Sequence, residues 1–132
     1  MSFRLEGIDH VEVFVRDLDA AARWYADALG LKEVARWDPE PIMIGAGASK
    51  LALFQSKPNP PGPTPDDEDA VDWHRVAWRT DEAGFAAAQA RLKKLGVAFH
   101  GPVDHGIAES IYFRDPDGHR LEITWYRNSK SS

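Results

Sequence analysis

Runs of β-branched and aromatic residues alternate with alanine-rich amphipathic segments along this chain, and the whole alternation occurs twice. The runs at residues 8–15 and 74–79 are typical of short strands, and each leads within two residues to an aspartate. Apolar residues then recur at helical spacing, which predicts one helix after each strand. The helices are predicted to begin and end at capping residues: Asp17 and Gly30 for the first, Asp81 and Gly96 for the second.

Three shorter apolar segments complete each half of the pattern. They lie at about residues 34–37, 42–45 and 50–55 in the first half, and at about 97–99, 109–114 and 119–126 in the second. Matching features keep their order: His74 follows His10 by 64 positions, and Leu121-Glu122-Ile123 follows Leu51-Ala52-Leu53 by 70. Insertions in the loops of a duplicated sequence increase the offset between matching residues in this way. The sequence therefore predicts two β-α-β-β-β modules, at about residues 7–56 and 72–127.

A proline-rich and acidic stretch, residues 57–71, separates the two modules. Proline at this density cannot continue a sheet, and the acidic run Asp66-Asp67-Glu68-Asp69 favours water. The stretch is therefore predicted to be a semi-rigid linker of polyproline II type. A lid over a ligand site is the alternative interpretation.

Length and composition exclude several classes of protein. A chain of 132 residues is expected to form a single domain, or at most two small fused units. The absence of cysteine excludes disulfides, cysteine-ligated metals and cysteine nucleophiles. The net charge of −5 comes without a basic run, which disfavours nucleic-acid binding. No apolar run approaches a membrane span, and no signal-peptide pattern opens the chain. We expect a soluble cytoplasmic protein that binds neither nucleic acid nor membranes.

Pleating predicts which side chains of the two modules share a face. Residues two apart along a strand point the same way, so three sets are expected to converge: His10, Glu12 and Phe14; His74, Val76 and Trp78; and Ala52 and Phe54 matched by Glu122 and Thr124. Two imidazoles and one carboxylate form a ligand set for a divalent metal, so His10, His74 and Glu122 are the predicted ligands. The alternative is two hydrogen-bonded interior histidines and a surface glutamate.

At this point the sequence resembles the vicinal oxygen chelate superfamily, which includes glyoxalase I, extradiol ring-cleaving dioxygenases, fosfomycin-resistance enzymes and bleomycin-resistance proteins. The resemblance is carried by Gly7-Ile8-Asp9-His10-Val11, Trp24-Tyr25, Leu29-Gly30-Leu31, His74 and the stretch from Ile111 to Glu122. It implies an α+β fold in which paired βαβββ modules form an open mixed β-barrel around a metal. It also implies a homodimer. His10, His74 and Glu122 fall on the metal-ligand positions of the family.

The resemblance further implies roles for residues near the ligands. Tyr112 matches a tyrosine that dioxygenases and fosfomycin enzymes place beside the metal, and His105 lies where dioxygenases carry an acid–base histidine, with His100 as a rival. Glu12 is predicted from the pleating to act as a base near the cation, or else to be solvent-exposed. Aromatic side chains on the ligand-bearing faces would line a substrate pocket or form part of the core: Phe14, Phe54 and Trp78.

Departures from the family pattern narrow the expected function. Ala52 stands where glyoxalase I has a fourth, carboxylate ligand, and Glu12 and residues 103–108 differ from the thiol-transfer fosfomycin enzymes. The leading expectation is a ring-cleaving dioxygenase with Fe²⁺, which acts on a small molecule with vicinal oxygens. Mn²⁺, Zn²⁺, Ni²⁺ or Co²⁺ would suit the same ligands. A lyase, isomerase or epoxide-opening enzyme of the superfamily is one alternative, and a metal-free small-molecule-binding protein is the other.

Overall fold

A computed structural model describes residues 2–56 and 73–127 of the chain. The chain divides into two compact units, residues 1–61 and 62–132, and the described part of each contains one helix and one four-stranded mixed sheet. The element order is β-α-β-β-β in both units, which confirms the predicted α+β modules. The predicted linker at residues 57–71 lies outside the described residues.

The first unit places its first strand beside its last. Its elements are β1 (Val11–Val15), α1 (Leu18–Leu29), β2 (Lys32–Arg36), β3 (Ile42–Ala46) and β4 (Ser49–Gln55). The sheet order is β1-β4-β3-β2, with β1 parallel to β4 and the other neighbours antiparallel. The connection through α1, β2 and β3 therefore returns the chain to the edge of β1.

The second unit repeats this topology. Its elements are β5 (Val76–Arg79), α2 (Glu82–Lys94), β6 (His100–Asp104), β7 (Ala108–Arg114) and β8 (Arg120–Tyr126). The sheet order is β5-β8-β7-β6, again with a parallel pair between the first and last strands. Neither described helix is long and apolar enough to cross a membrane.

Both helices begin at the aspartates that the sequence predicted. The carboxylate of Asp17 accepts a hydrogen bond from the backbone N–H of Ala20, and that of Asp81 accepts one from Gly84. Each bond satisfies one of the amide hydrogens that a helix N-terminus leaves free. Glycines with positive φ follow both helices, at Gly30 (69°) and Gly96 (73°).

One face of each sheet is buried beneath its helix. In the first unit α1 contributes Ala21, Tyr25 and Ala28, and the sheet contributes Ile42, Ile44, Leu51 and Leu53, all of them buried. In the second unit Phe85 of α2 meets Trp125 of β8, with ring centroids 6.5 Å apart. Leu121, Ile123 and Ile111 lie buried on that same face. Burial of one such side chain contributes about 1.5–3 kcal/mol, so these contacts fix which sheet face remains for chemistry.

One predicted strand lies at the wrong position. The segment at 97–99 was expected to form a strand, but β6 begins at His100. The reason is that the N–H of Val97 donates to the carbonyl of Leu92 and closes the end of α2. The chain can enter the sheet only after this helix-terminating hydrogen bond.

Candidate active site

His10 lies immediately before β1, between two carboxylates. Its Nδ1 atom is 2.8 Å from Asp9 Oδ2, and its Nε2 atom is 3.0 Å from Glu12 Oε2. The hydrogen bond with Asp9, and then that with Glu12, raises the pKa of His10. His10 and nearby Lys50, whose Nζ is 3.4 Å from Asp9 Oδ1, lower the pKa of Asp9. One ring nitrogen is thus oriented by a carboxylate, as in many metal-binding histidines, while the other adjoins a second carboxylate.

Glu12 shares a sheet face with two aromatic side chains. The parallel pairing of β1 and β4 places Glu12 opposite Ala52 and Phe14 opposite Phe54. This is the grouping that pleating predicted, on the side away from α1. Phe14 is 41% exposed, whereas Ala52 is fully buried. The carboxylate of Glu12 therefore lies beside the position at which the resemblance expects the fourth ligand of glyoxalase I.

In the second unit, Tyr112 of β7 lies directly opposite Glu122 of β8. His105, in the loop between β6 and β7, reaches this tyrosine, and its Nε2 atom is 2.6 Å from the hydroxyl oxygen. The rival His100 also lies near, with its ring centroid 6.4 Å from that of Tyr112. The hydrogen bond, however, is made by His105. The structure thus brings His105 and Tyr112 into contact and places Tyr112 beside Glu122.

The loop that carries His105 is held by ionic and backbone contacts. Asp104 Oδ1 accepts hydrogen bonds from the backbone N–H of Gly106 at 2.8 Å and from Nη1 of Arg127 at 2.9 Å. The Gly106 bond, followed by the Arg127 bond, lowers the pKa of Asp104. Arg127 also donates to the carbonyl of Gly106 at 2.7 Å and to Glu109 Oε1 at 2.7 Å. These contacts fix both sides of His105.

The structure corrects the predicted position of Trp78. The register of β5 and β8 pairs Ala77 with Glu122 and Trp78 with Ile123. Paired residues of parallel strands point to the same face, so both Val76 and Trp78 lie on the α2-covered face and not beside Glu122. The prediction was wrong because the repeat offsets place Val76 opposite Glu122, one residue away from the observed pairing, and a shift of one residue exchanges the faces.

Two residues that contact the candidate site residues were not predicted from the sequence. Arg75 places its guanidinium carbon 4.3 Å from the centroid of the Tyr112 ring. No motif marks this arginine, and its contact depends on the same register that was mispredicted. Asp9 is the second, and here a signal existed, because an acid adjacent to a candidate ligand histidine can orient that histidine.

The predicted metal ligands are distributed over both units. His10 belongs to the first unit, whereas Glu122 and the exposed His74, which lies two residues before β5, belong to the second. Within residues 2–56 and 73–127, no group of three or more histidine and acidic side chains is arranged to hold a metal ion. The three-ligand set therefore stays a prediction.

Sequence comparison identifies related proteins over nearly the whole chain. Residues 7–123 match the Glyoxalase/Bleomycin resistance protein/Dioxygenase superfamily. The chain is 24% identical to a catechol-2,3-dioxygenase of Bacillus subtilis over 95% of its own length, but it spans only 46% of that enzyme. It is 28% identical to the glutathione transferase FosA of Serratia marcescens, over 90% of this chain and 80% of that protein.

Structure comparison gives a consistent result. A glyoxylase/bleomycin resistance protein/dioxygenase domain from Frankia sp. EAN1pec superposes with a TM-score of 0.76 and 25% identity. The superposition covers 96% of each chain. The similarity therefore extends to the arrangement of helices and strands as well as to the sequence.

Proposed function

Because this chain belongs to the glyoxalase/bleomycin resistance protein/dioxygenase superfamily, we propose that it is a metal-dependent enzyme acting on a small molecule with two neighbouring oxygen atoms. The ligands in this proposal are His10, His74 and Glu122. When bound, the divalent ion would polarise the substrate oxygens and stabilise the negative charge that develops on them. Ring-cleaving dioxygenase is the leading subtype, with Fe²⁺ as the favoured ion.

The chemistry of the donors fits a divalent ion. His10 supplies an imidazole nitrogen, and Asp9 Oδ2, 2.8 Å from its Nδ1 atom, orients the ring as carboxylates orient metal-binding histidines. Mixed nitrogen and carboxylate donors suit iron, manganese, zinc, nickel and cobalt. Glu122 contributes a further carboxylate on the sheet face that α2 leaves free.

The observation that carries the proposal is the contact between His105 and Tyr112 beside Glu122. The two side chains share one hydrogen bond of 2.6 Å, and Tyr112 is the direct cross-strand neighbour of a proposed ligand. A phenol hydroxyl and an imidazole in direct contact can pass a proton between them and to or from a bound substrate. We assign to this pair the proton transfers at the oxygen atoms of the substrate.

Glu12 is proposed as the base that receives a proton from the substrate. Its carboxylate is 61% exposed and adjoins His10, so it can exchange protons with water after each turnover. Phe14 and Phe54 extend the same face and would support a flat or mostly apolar substrate. Trp78 is left out of this pocket because it belongs to the second unit and lies on the α2-covered face of that unit's sheet.

A second candidate function is the opening of an epoxide by a related metal-dependent enzyme. The similarity to glutathione transferase FosA, which extends over 80% of that protein, favours it. Glu12 and residues 103–108 differ from the thiol-transfer enzymes in the resemblance, so we rank this function second. A lyase or isomerase reaction would use the same ligands.

Elemental analysis followed by oxygen uptake tests the proposal. Purified protein loaded anaerobically with Fe²⁺ should hold about one ion per proposed site, His74→Ala should lose it, and His119→Ala, a histidine outside the proposed site, should retain it. Oxygen uptake with a panel of catechols should follow the iron content. Iron bound without oxygen uptake would overturn the dioxygenase subtype. Absence of stoichiometric metal, with folding and ligand binding unchanged in His74→Ala, would instead favour a binding protein.

A further inference from the structure

A cavity of about 510 Å³ opens in the second unit, and its lining is strongly basic. The volume lies within the range of sites for small molecules. Its polar lining residues are Arg75, His100, His105, Tyr112, Arg114 and Arg120, and none of the described lining residues is acidic. The chain as a whole carries a net charge of −5, so this local excess of cations runs against the overall composition.

The three arginines converge because of the sheet register. Arg114 and Arg120 are direct partners across β7 and β8, and they share a face with Tyr112. Arg75 immediately precedes β5, the strand on the other side of β8, and its guanidinium lies over the Tyr112 ring. Glu122 lies on this same face but does not line the cavity, so the three arginines give the cavity itself a local excess of positive charge, which a bound anion would offset.

Arg75 also has an unsatisfied hydrogen-bond donor. Its Nε atom is buried and has no partner among the described residues. Stacking on Tyr112 holds the guanidinium plane but gives Nε no acceptor. Buried donors are nearly always satisfied in native proteins, so an orphaned guanidinium N–H in a cavity indicates an acceptor from a ligand.

We infer that this cavity binds an oxyanion, either the carboxylate or the phosphoryl group of a small molecule. Guanidinium groups present paired N–H donors that match both groups. Tyr112, His100 and His105 add hydrogen-bonding partners around the anion. The identification of the anion as part of the substrate rests on the proposed function, whereas the binding of an anion by the cavity does not.

Calorimetric titration at low ionic strength tests the inference, with inorganic phosphate and benzoate as the two anionic probes and benzyl alcohol as the neutral one. The unmodified protein should bind at least one anion and should not bind benzyl alcohol. The anion that binds more tightly identifies the chemical class of the ligand. Arg75→Gln and Arg120→Gln should each weaken binding by about tenfold, because a charge-assisted hydrogen bond is lost.

Arg79→Gln is the matched control. Arg79 is the last residue of β5, the strand that begins directly after Arg75, and its guanidinium also stacks on a tyrosine, 4.3 Å from the ring centroid of Tyr126, but it does not line the cavity. Anion binding by this variant should equal that of the unmodified protein. Equal weakening by Arg75→Gln and Arg79→Gln, or no binding of either anion, would overturn the inference. Circular dichroism verifies that each variant folds. If Arg75→Gln does not fold, the test depends on Arg120→Gln, because Arg120 is exposed and its substitution leaves the core intact.

Titrations of chelator-treated protein separate this inference from the proposed function. Anion binding that persists without metal, in a protein that never takes up metal, would leave the cavity assigned and refute the proposed enzyme. Metal uptake and turnover without anion binding would support the proposed enzyme and refute the anion-binding cavity.

Discussion

The imidazole Nε2 of His105 lies 2.6 Å from the hydroxyl oxygen of Tyr112, seven residues further along the chain. The hairpin between β6 and β7 makes this contact possible, because it folds the loop back over the strand that carries the tyrosine. The hydrogen bond couples the hydroxyl beside Glu122 to the imidazole of His105. The two side chains should therefore act as one unit in proton transfer.

Removal of the Tyr112 hydroxyl should lower turnover without loss of metal. In Tyr112→Phe we expect kcat to fall by about 10²-fold or more, since a positioned proton donor or acceptor contributes about 10²–10⁴. His105→Gln should cause a similar loss. Because the residues act together, the double variant should be little worse than either single one. Steady-state kinetics with elemental analysis measures this, and losses that multiply in the double variant would show that the residues act independently.

Neutralisation of Glu12 should separate metal binding from catalysis. Glu12→Gln keeps a side chain of the same size beside His10 but removes the proton acceptor. We expect the metal content to be retained and kcat to fall by about 10²-fold or more. Lys32→Gln, which removes an exposed charge from β2 of the same sheet, is the control and should retain both metal and turnover. Unchanged turnover by metal-loaded Glu12→Gln would remove Glu12 from the mechanism, and loss of metal would make it a ligand.

Much of the fold could be predicted because it depends on local chemistry. Asp17 and Asp81 cap helices through side-chain bonds that span three residues, and Gly30 adopts the left-handed conformation that glycine tolerates. Alternation and helical periodicity identify the remaining elements without knowledge of their partners. The strand starts were less exact. β1 and β5 begin at Val11 and Val76 instead of at residues 8 and 74, and β6 begins at His100, after the N–H of Val97 has closed the end of α2.

The candidate site could be predicted less completely because it depends on register. Within the first sheet, residues two apart suffice to group Glu12 and Phe14, and the register agrees. In the second sheet the observed pairing of β5 with β8 is displaced by one residue from the pairing that the repeat implies. As a result, Arg75 and not Trp78 lies on the face of Glu122. A single sequence contains no signal for that displacement, since the alternation of side chains along β5 is compatible with either register.

The corrected faces predict different consequences for two aromatic substitutions. Phe14→Ala should raise KM for an aromatic substrate and change the free energy of unfolding little, because Phe14 is 41% exposed on the face of Glu12. Trp78→Ala should instead lower the free energy of unfolding by about 1–3 kcal/mol, because it removes apolar contacts on the α2-covered face. Denaturant unfolding and steady-state kinetics measure both effects. A rise in KM confined to Trp78→Ala would restore the original face assignment.

The contact between Asp104 and Arg127 predicts a pH-dependent loop. The hydrogen bond from Gly106 and then that from Arg127 lower the pKa of Asp104, so the ionised carboxylate stabilises the folded loop. That stabilisation is present above the unfolded-state pKa and is lost as the pH falls through the folded-state pKa. In Arg127→Gln the pKa of Asp104 should rise but stay below its ordinary value, because the Gly106 N–H remains. NMR titration of the Asp104 carboxyl carbon measures the shift, and amide exchange at His105 should become faster.

Arg36→Gln is the control for this prediction. It removes the contacts of Arg36 with Glu33 and Asp19 in the first unit and should leave the pKa of Asp104 unchanged. An identical Asp104 titration in Arg127→Gln and the unmodified protein would show that Arg127 does not hold the loop.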